Sequence, residues 1–184
     1  MNWKEFANNM KEQEKVFSSI KVENSKPIVL RLDMRSGGSF VKGLNKPFDE
    51  FFTMAMEDTA KALAEQIQGT QIVYVGSDEI TLVLYNFNKE LTPFFEGKLE
   101  KIISLSSSIA TSEFNKSWNL IINDFIHDIW LADNYSLEYS KTIESNLFKA
   151  QFDSRVFNVL DNNYKLEVLK NIWWRSTDVS RNSI

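Results

Sequence analysis

The 184-residue chain has no cysteine. Disulfides, thiolate zinc sites and thiol nucleophiles are therefore excluded, and small secreted disulfide scaffolds with them. A reducing cytoplasm suits such a composition. Long apolar runs are missing too, since residues 71–77 and 80–87, the longest, fall far short of the roughly 18 residues a membrane span needs. No basic segment leads into an apolar one at the N-terminus, where Trp3, Lys4, Glu5 and Phe6 open a charged amphipathic stretch, so no signal peptide is expected. Positive charge is not in excess. A net charge of -4 and a pI near 5.2 exclude a generally basic nucleic-acid coat and confine any RNA contact to a local patch. The only histidine, His127, lies among apolar residues and reads as packed or surface-exposed rather than catalytic.

What remains is enough for a core. Hydrophobic residues make up 43% of the chain, which at this length fits a single domain spanning residues 1–184. Residues 1–19 place Trp3, Phe6, Met10 and Phe17 at helical spacing, giving an amphipathic packing helix. Residues 27–33 form an aliphatic run opened by Pro27 and closed by Asp33, as a central strand would be. The adjacent Gly37 and Gly38 then require a loop and permit close backbone approach to a ligand. With Pro47 as its first residue, a long helix is expected over 47–67. Strands at 71–76 and 79–85 follow, joined through Ser77, Asp78 and Glu79 as a hairpin. A second long helix is expected over 95–117, two short helices within 118–149, a strand over 150–159 and a last helix over 164–176.

This order is that of an α+β, ferredoxin-like (βαββαβ) sheet. In its right-handed split crossover the first two strands run parallel with the third antiparallel between them. The end of the first strand and the hairpin turn then share one edge, so Asp33 and Asp78 converge. Two neighbouring carboxylates repel unless a cation lies between them, and an oxygen-only cluster selects a hard ion such as magnesium. Aspartate at a strand end or in a hairpin is also common turn chemistry. Glu79 alternates to the other side of its strand and is either a third ligand or a structural acid. Lys46, Lys98 and Lys101 lie near the starts of the two long helices, as phosphate contacts or as solvated surface lysines.

Taken together, Arg31-Leu-Asp33-Met-Arg35, Phe40-Val-Lys-Gly43-Leu-Asn-Lys46-Pro47-Phe-Asp49, Tyr74-Val-Gly-Ser77-Asp78-Glu79-Ile80, Phe152-Asp153-Ser-Arg155-Val-Phe157 and Trp174-Arg175-Ser-Thr-Asp178-Val-Ser-Arg181-Asn182 resemble the histidine tRNA guanylyltransferase-like family. The Arg-Asn-Ser ending is similar to the bacterial and phage-type branch, which implies tRNA 5′-end repair. The resemblance implies a polymerase-type palm that adds nucleotides in the 3′-to-5′ direction. A 5′-monophosphate on tRNA is first activated with ATP. The 3′-hydroxyl of an incoming nucleotide such as GTP then attacks, releasing AMP or pyrophosphate. Two magnesium ions serve such a transfer, one at the attacking hydroxyl and one at the leaving group.

Position by position, the resemblance makes Asp33 and Asp78 the metal carboxylates and the Met34 carbonyl a further ligand, with Glu79 completing the catalytic acids. Asp33, Met34, Arg35, Ser36, Gly37 and Gly38, with Ser77 and Asp78, would hold the triphosphate; Lys46 lies near the phosphates and Asp49 near the base. Lys98 and Lys101 match family cations, and Asn182 a second-nucleotide motif. The family pattern has glycine at position 34 and an aromatic residue at 37, so Met34 is expected to crowd the loop. Residues 118–149 read as an insertion, and the family's C-terminal helical region is absent after residue 184. A homo-oligomer is implied. Two other readings stand beside this one: a palm-fold nucleotide cyclase-like enzyme, and a nucleotide-binding or assembly protein without catalysis.

Overall fold

The computed structural model describes residues 2–88, 91–131, 136–160 and 163–182, with the backbone alone for 16, 17, 125–131 and 180–182. Four strands, β1 (Ile28–Met34), β2 (Thr70–Gly76), β3 (Glu79–Leu84) and β4 (Phe152–Asn158), form one sheet in the order β2-β3-β1-β4. Every neighbouring pair is antiparallel, which makes β1 and β2 parallel with β3 between them, as the ferredoxin-like order requires. Six helices accompany the sheet: α1 (Trp3–Ser18), α2 (Gly37–Phe40), α3 (Glu50–Gln66), α4 (Leu99–Leu131), α5 (Leu137–Ser145) and α6 (Tyr164–Asn182).

The alternation of β1 divides the molecule. Ile28, Leu30, Leu32 and Met34 face the main core with Leu63, Ile102, Phe114 and Trp118 of α3 and α4. Val29 faces the opposite side, in a smaller cluster with Val83, Val159 and Val168, the last from α6. Arg31 and Asp33 share that second face by the same period of two. Central β3 is buried throughout its length, as a strand covered on both sides must be.

Two helices differ from the sequence reading. α3 starts at Glu50 rather than at Pro47, because Asp49 acts as its N-cap and accepts the Phe52 amide at 3.0 Å. Its other carboxylate oxygen accepts the Asn45 amide at 3.2 Å, tying the preceding loop to the helix. Asp49→Ala is expected to lower unfolding free energy by about 1–2 kcal/mol, and Tm by roughly 2–8 °C, in thermal denaturation followed by circular dichroism. α4 starts at Leu99, after a Phe94–Gly97 turn in which Phe95 and Glu96 have positive φ. It then runs to Leu131, through the segment expected to hold a separate short helix. No glycine or proline interrupts residues 99–131, so nothing local stops it.

Trp118, Ile121 and Ile122 of that extension, with Tyr139 and Ile143 of α5, are buried in the main core. Phe40 joins them, its ring 5.9 Å from Phe52, 5.6 Å from Phe114 and 5.5 Å from Trp118. That aromatic anchor, and a 2.7 Å hydrogen bond from the Asn146 amide to the Phe40 carbonyl, hold the loop after β1 in place. α1 is formed as expected but leaves Trp3, Phe6 and Met10 exposed. The side chain of His127 lies outside the described residues. Among the described residues no helix is long and apolar enough to cross a membrane.

Candidate functional site

The β2–β3 connection is a two-residue turn, Ser77–Asp78, between paired Gly76 and Glu79. Ser77 takes the positive φ of 55° that such a tight turn asks of its first residue. The Met34 amide donates to the Asp78 carbonyl at 3.0 Å, fastening the turn to the end of β1. Asp33 and Asp78 therefore stand at one rim of the sheet. Burial pushes the Asp33 carboxyl above its ordinary range, and the charges of Asp78 and Asp153 push it further. Asp153 is its cross-strand partner on β4, and Glu79 its partner on β3.

Gly37 closes on this pair. A Cβ at that position would lie 1.8 Å from Asp78 Oδ2, so the Asp78 carboxylate nests against bare backbone. Met34 does not crowd the loop as expected, because its side chain is 1% exposed and points into the core, leaving only its backbone at the rim. Ser36 adopts the left-handed conformation (φ 57°) as the chain turns into α2.

A cleft of about 850 Å³ opens beside Asp78, lined by Gly38, Lys46, Phe48, Asp49, Tyr74 and Ser77 and, from α6, by Arg175 and Asp178. That is the range of a nucleotide-sized pocket. Lys46 makes no ion pair among the described residues. Asp49 lies in the wall with both oxygens committed to backbone amides, which leaves its carboxylate to shape the cleft. Arg35 is turned to the far edge, donating to Gln151 Oε1 at 2.9 Å.

Glu79 is enclosed by arginines. It is 2% exposed, with Arg31 Nε at 3.2 Å and Arg175 Nε at 3.0 Å from Oε1, while Arg175 Nη2 binds Oε2. Guanidinium groups of Arg31 and Arg175 neutralise it. Among the described residues no group of three or more His, Cys, Asp or Glu is assembled for a metal.

Lys98 and Lys101 are not brought to the site. The Lys98 backbone pairs with that of Lys21 in an isolated antiparallel β-bridge, its side chain forms an ion pair with Glu96 at 3.1 Å, and the Gly97 carbonyl accepts the Val22 amide. These contacts lie by the start of β1, about 20 Å along the strand from Asp33. The side chain of Asn182 lies outside the described residues. Arg175, Asp178 and Tyr74 were not among the expected site residues. The spacing of Arg175 and Asp178, three apart on one helix face and paired at 2.8 Å, was the available signal.

An antiparallel βαββαβ sheet with paired acids at the rim between its first strand and its central hairpin is a polymerase-type palm. The family model for Thg1, tRNAHis guanylyltransferase, matches residues 7–160, and the chain belongs to that family. A bacterial tRNA(His) guanylyltransferase (Thg1)-like protein in complex with GTP is 30% identical, with a TM-score of 0.74 over 96% of this chain and 72% of that one. A bacterial protein of the same description in complex with ATP matches at 30% identity and a TM-score of 0.74, over 96% of this chain and 66% of that one. The tRNA(His) guanylyltransferase of Saccharomyces cerevisiae, 20% identical, shares the fold with a TM-score of 0.63, over 86% of this chain and 60% of its own. An uncharacterized protein of Acanthamoeba polyphaga mimivirus is 30% identical over 172 residues, 89% of this chain and 56% of its own length. The chain thus spans a little over half of that relative.

Asp33 also carries a stability signature. A carboxyl whose folded pKa is raised favours folding while protonated, and that contribution is lost as pH rises through the folded pKa. At pH 7 ionised Asp33 therefore opposes folding. In metal-free buffer Asp33→Asn is expected to raise Tm by about 1–2 °C at pH 7, a small gain because solvent screens a half-exposed group. The gain should vanish near pH 3. Thermal scans at both pH values in metal-free buffer check the gain and its disappearance.

Proposed function

We propose that this chain is a magnesium-dependent nucleotidyltransferase that adds nucleotides in the 3′-to-5′ direction to the 5′ end of tRNA, after activation with ATP, in the cytoplasm. The observation that carries the reading is the pairing of Asp33 and Asp78 at one rim beside a nucleotide-sized cleft. Family membership supports it, as do relatives solved with GTP and with ATP.

The donors fit the metal. Asp33, Asp78 and the Met34 carbonyl are oxygen ligands, and Asp33 is crowded by other carboxylates. Magnesium held there would neutralise phosphate charge and lower the pKa of an attacking hydroxyl. Everything else is positioning. Lys46, with no acidic partner among the described residues, is the cation for the phosphates. The amides of Ser36, Gly37 and Gly38 donate to no protein acceptor among the described contacts and can meet triphosphate oxygens. Glu79 is assigned to holding the turn, not to the metal. Lys98 and Lys101 have no role toward the same nucleotide within one chain. Exposed Trp3, Leu169 and Trp173 favour a homo-oligomer.

Incubation with magnesium, ATP, labelled GTP and 5′-monophosphorylated, 5′-truncated tRNA tests the reading. Label should enter the RNA and should disappear with EDTA. A cyclic mononucleotide with no RNA labelled points to the cyclase-like alternative. Nucleotide binding with no product points to the binding protein.

A further inference from the structure

Glu79 and Asp78 are consecutive, yet one is buried in an ion-pair ladder and the other opens on the cleft. The ladder runs Arg31, Glu79, Arg175, Asp178 and crosses from the sheet to α6. Arg31 touches one Glu79 oxygen and is itself held by Asn171 of α6 and, at 3.4 Å, by Thr81. Arg175 alone grips both oxygens, through Nε and Nη2, while its Nη1 donates to Asp178 at 2.8 Å. A two-point grip fixes the plane of a carboxylate, which a single contact does not. The Trp174 ring lies 5.7 Å from the Arg31 guanidinium and 5.2 Å from that of Arg175, covering both.

Buried ion pairs are weak sources of stability, so a ladder of four charges at this place calls for a geometric purpose. The Asp78 turn is fastened on the β1 side by the Met34 amide, and on the α6 side by the Glu79 side chain.

We propose that Arg175 is a positioning residue that sets, through Glu79, where the Asp78 carboxylate stands. This rests on reading Asp33 and Asp78 as the metal-holding pair. Cutting the grip frees the turn on one side while Asp78 itself is retained, and displacements of about 1 Å are enough to cost a hundredfold in transfer.

The test is Mn²⁺ binding in the presence of GTP, measured by electron paramagnetic resonance on the whole protein, with circular dichroism to verify folding. Arg175→Met should raise the Mn²⁺ Kd about tenfold. Arg175→Lys, which keeps the charge but offers one contact point, should fall between that variant and wild type. The Glu79→Gln/Arg175→Met double variant removes the buried unpaired carboxylate and should weaken Mn²⁺ as much as Arg175→Met; it decides the matter where the single variant does not fold. Leu166→Ala, at an exposed position of α6, should bind as wild type.

A folded Arg175→Met or double variant with a Kd within twofold of wild type overturns the proposal. So does an Arg175→Lys variant that binds Mn²⁺ as tightly as wild type, because one contact point would then suffice. Wild-type protein that binds Mn²⁺ and GTP but labels no tRNA sinks the polymerase reading and leaves the positioning role to be judged on the Kd values alone. Wild type that binds no Mn²⁺ sinks both.

Discussion

Asp78→Asn is expected to lower nucleotide transfer to tRNA by at least about a thousandfold, or roughly 4 kcal/mol of barrier. Asparagine keeps the shape of aspartate and is at home in hairpin turns. The backbone contact that fastens the turn, from the Met34 amide to the residue-78 carbonyl, does not involve the side chain. Folding should therefore be unaffected, with Tm within about 2 °C of wild type or slightly above it, since one of the charges repelling Asp33 is gone. What is lost is half of the carboxylate charge facing the proposed metal. Single-turnover assays across a magnesium series separate weak binding from slow chemistry. A variant that keeps a tenth of wild-type activity would show that Asp78 is turn chemistry and no more.

Gly37→Ala should cost about a hundredfold in the same assay. Glycine is not needed there for its backbone, since Gly37 is not among the positive-φ residues. The effect is steric. The added methyl would sit 1.8 Å from Asp78 Oδ2, 2.7 Å from its Cγ and 2.9 Å from its Cβ, so the carboxylate has to turn away. The remainder of the loop is held by Phe40 in the aromatic core and by Asn146, so the loop does not yield first. Tm should move little. An Asp78→Gly background isolates the cause: with the clashing side chain removed, its Cβ included, Gly37→Ala should add almost nothing. Full additivity of the two changes would place the damage elsewhere in the loop.

The exposed acids and bases around the rim add less. Asp153 and Arg155 form only a long contact of 3.9 Å, with side chains 59% and 68% exposed, and contribute little by their attraction.

Much of this architecture was readable from the chain because it depends on neighbours within a few residues. Period-two alternation placed Asp33 on β1, the hairpin between Gly76 and Glu79 placed Asp78, and the right-handed crossover brought the two to one rim. The length of α4 was open to the same reasoning, since nothing between Leu99 and Leu131 breaks a helix. Other features depend on contacts that no local pattern encodes. Arg175 meets Glu79 across 96 residues of sequence, and no local pattern announces that this distant cation engages the acid next to Asp78. Asp49 became a helix cap because α3 begins after it. Lys98 and Lys101 were drawn away by the direction of α4, which starts at the opposite end of the sheet. Side-chain type and spacing thus determined which groups the chain could offer to a phosphate or a cation. Packing of α6 on the sheet decided which of them remain available, because a charge buried beside an opposite one is spent on its partner.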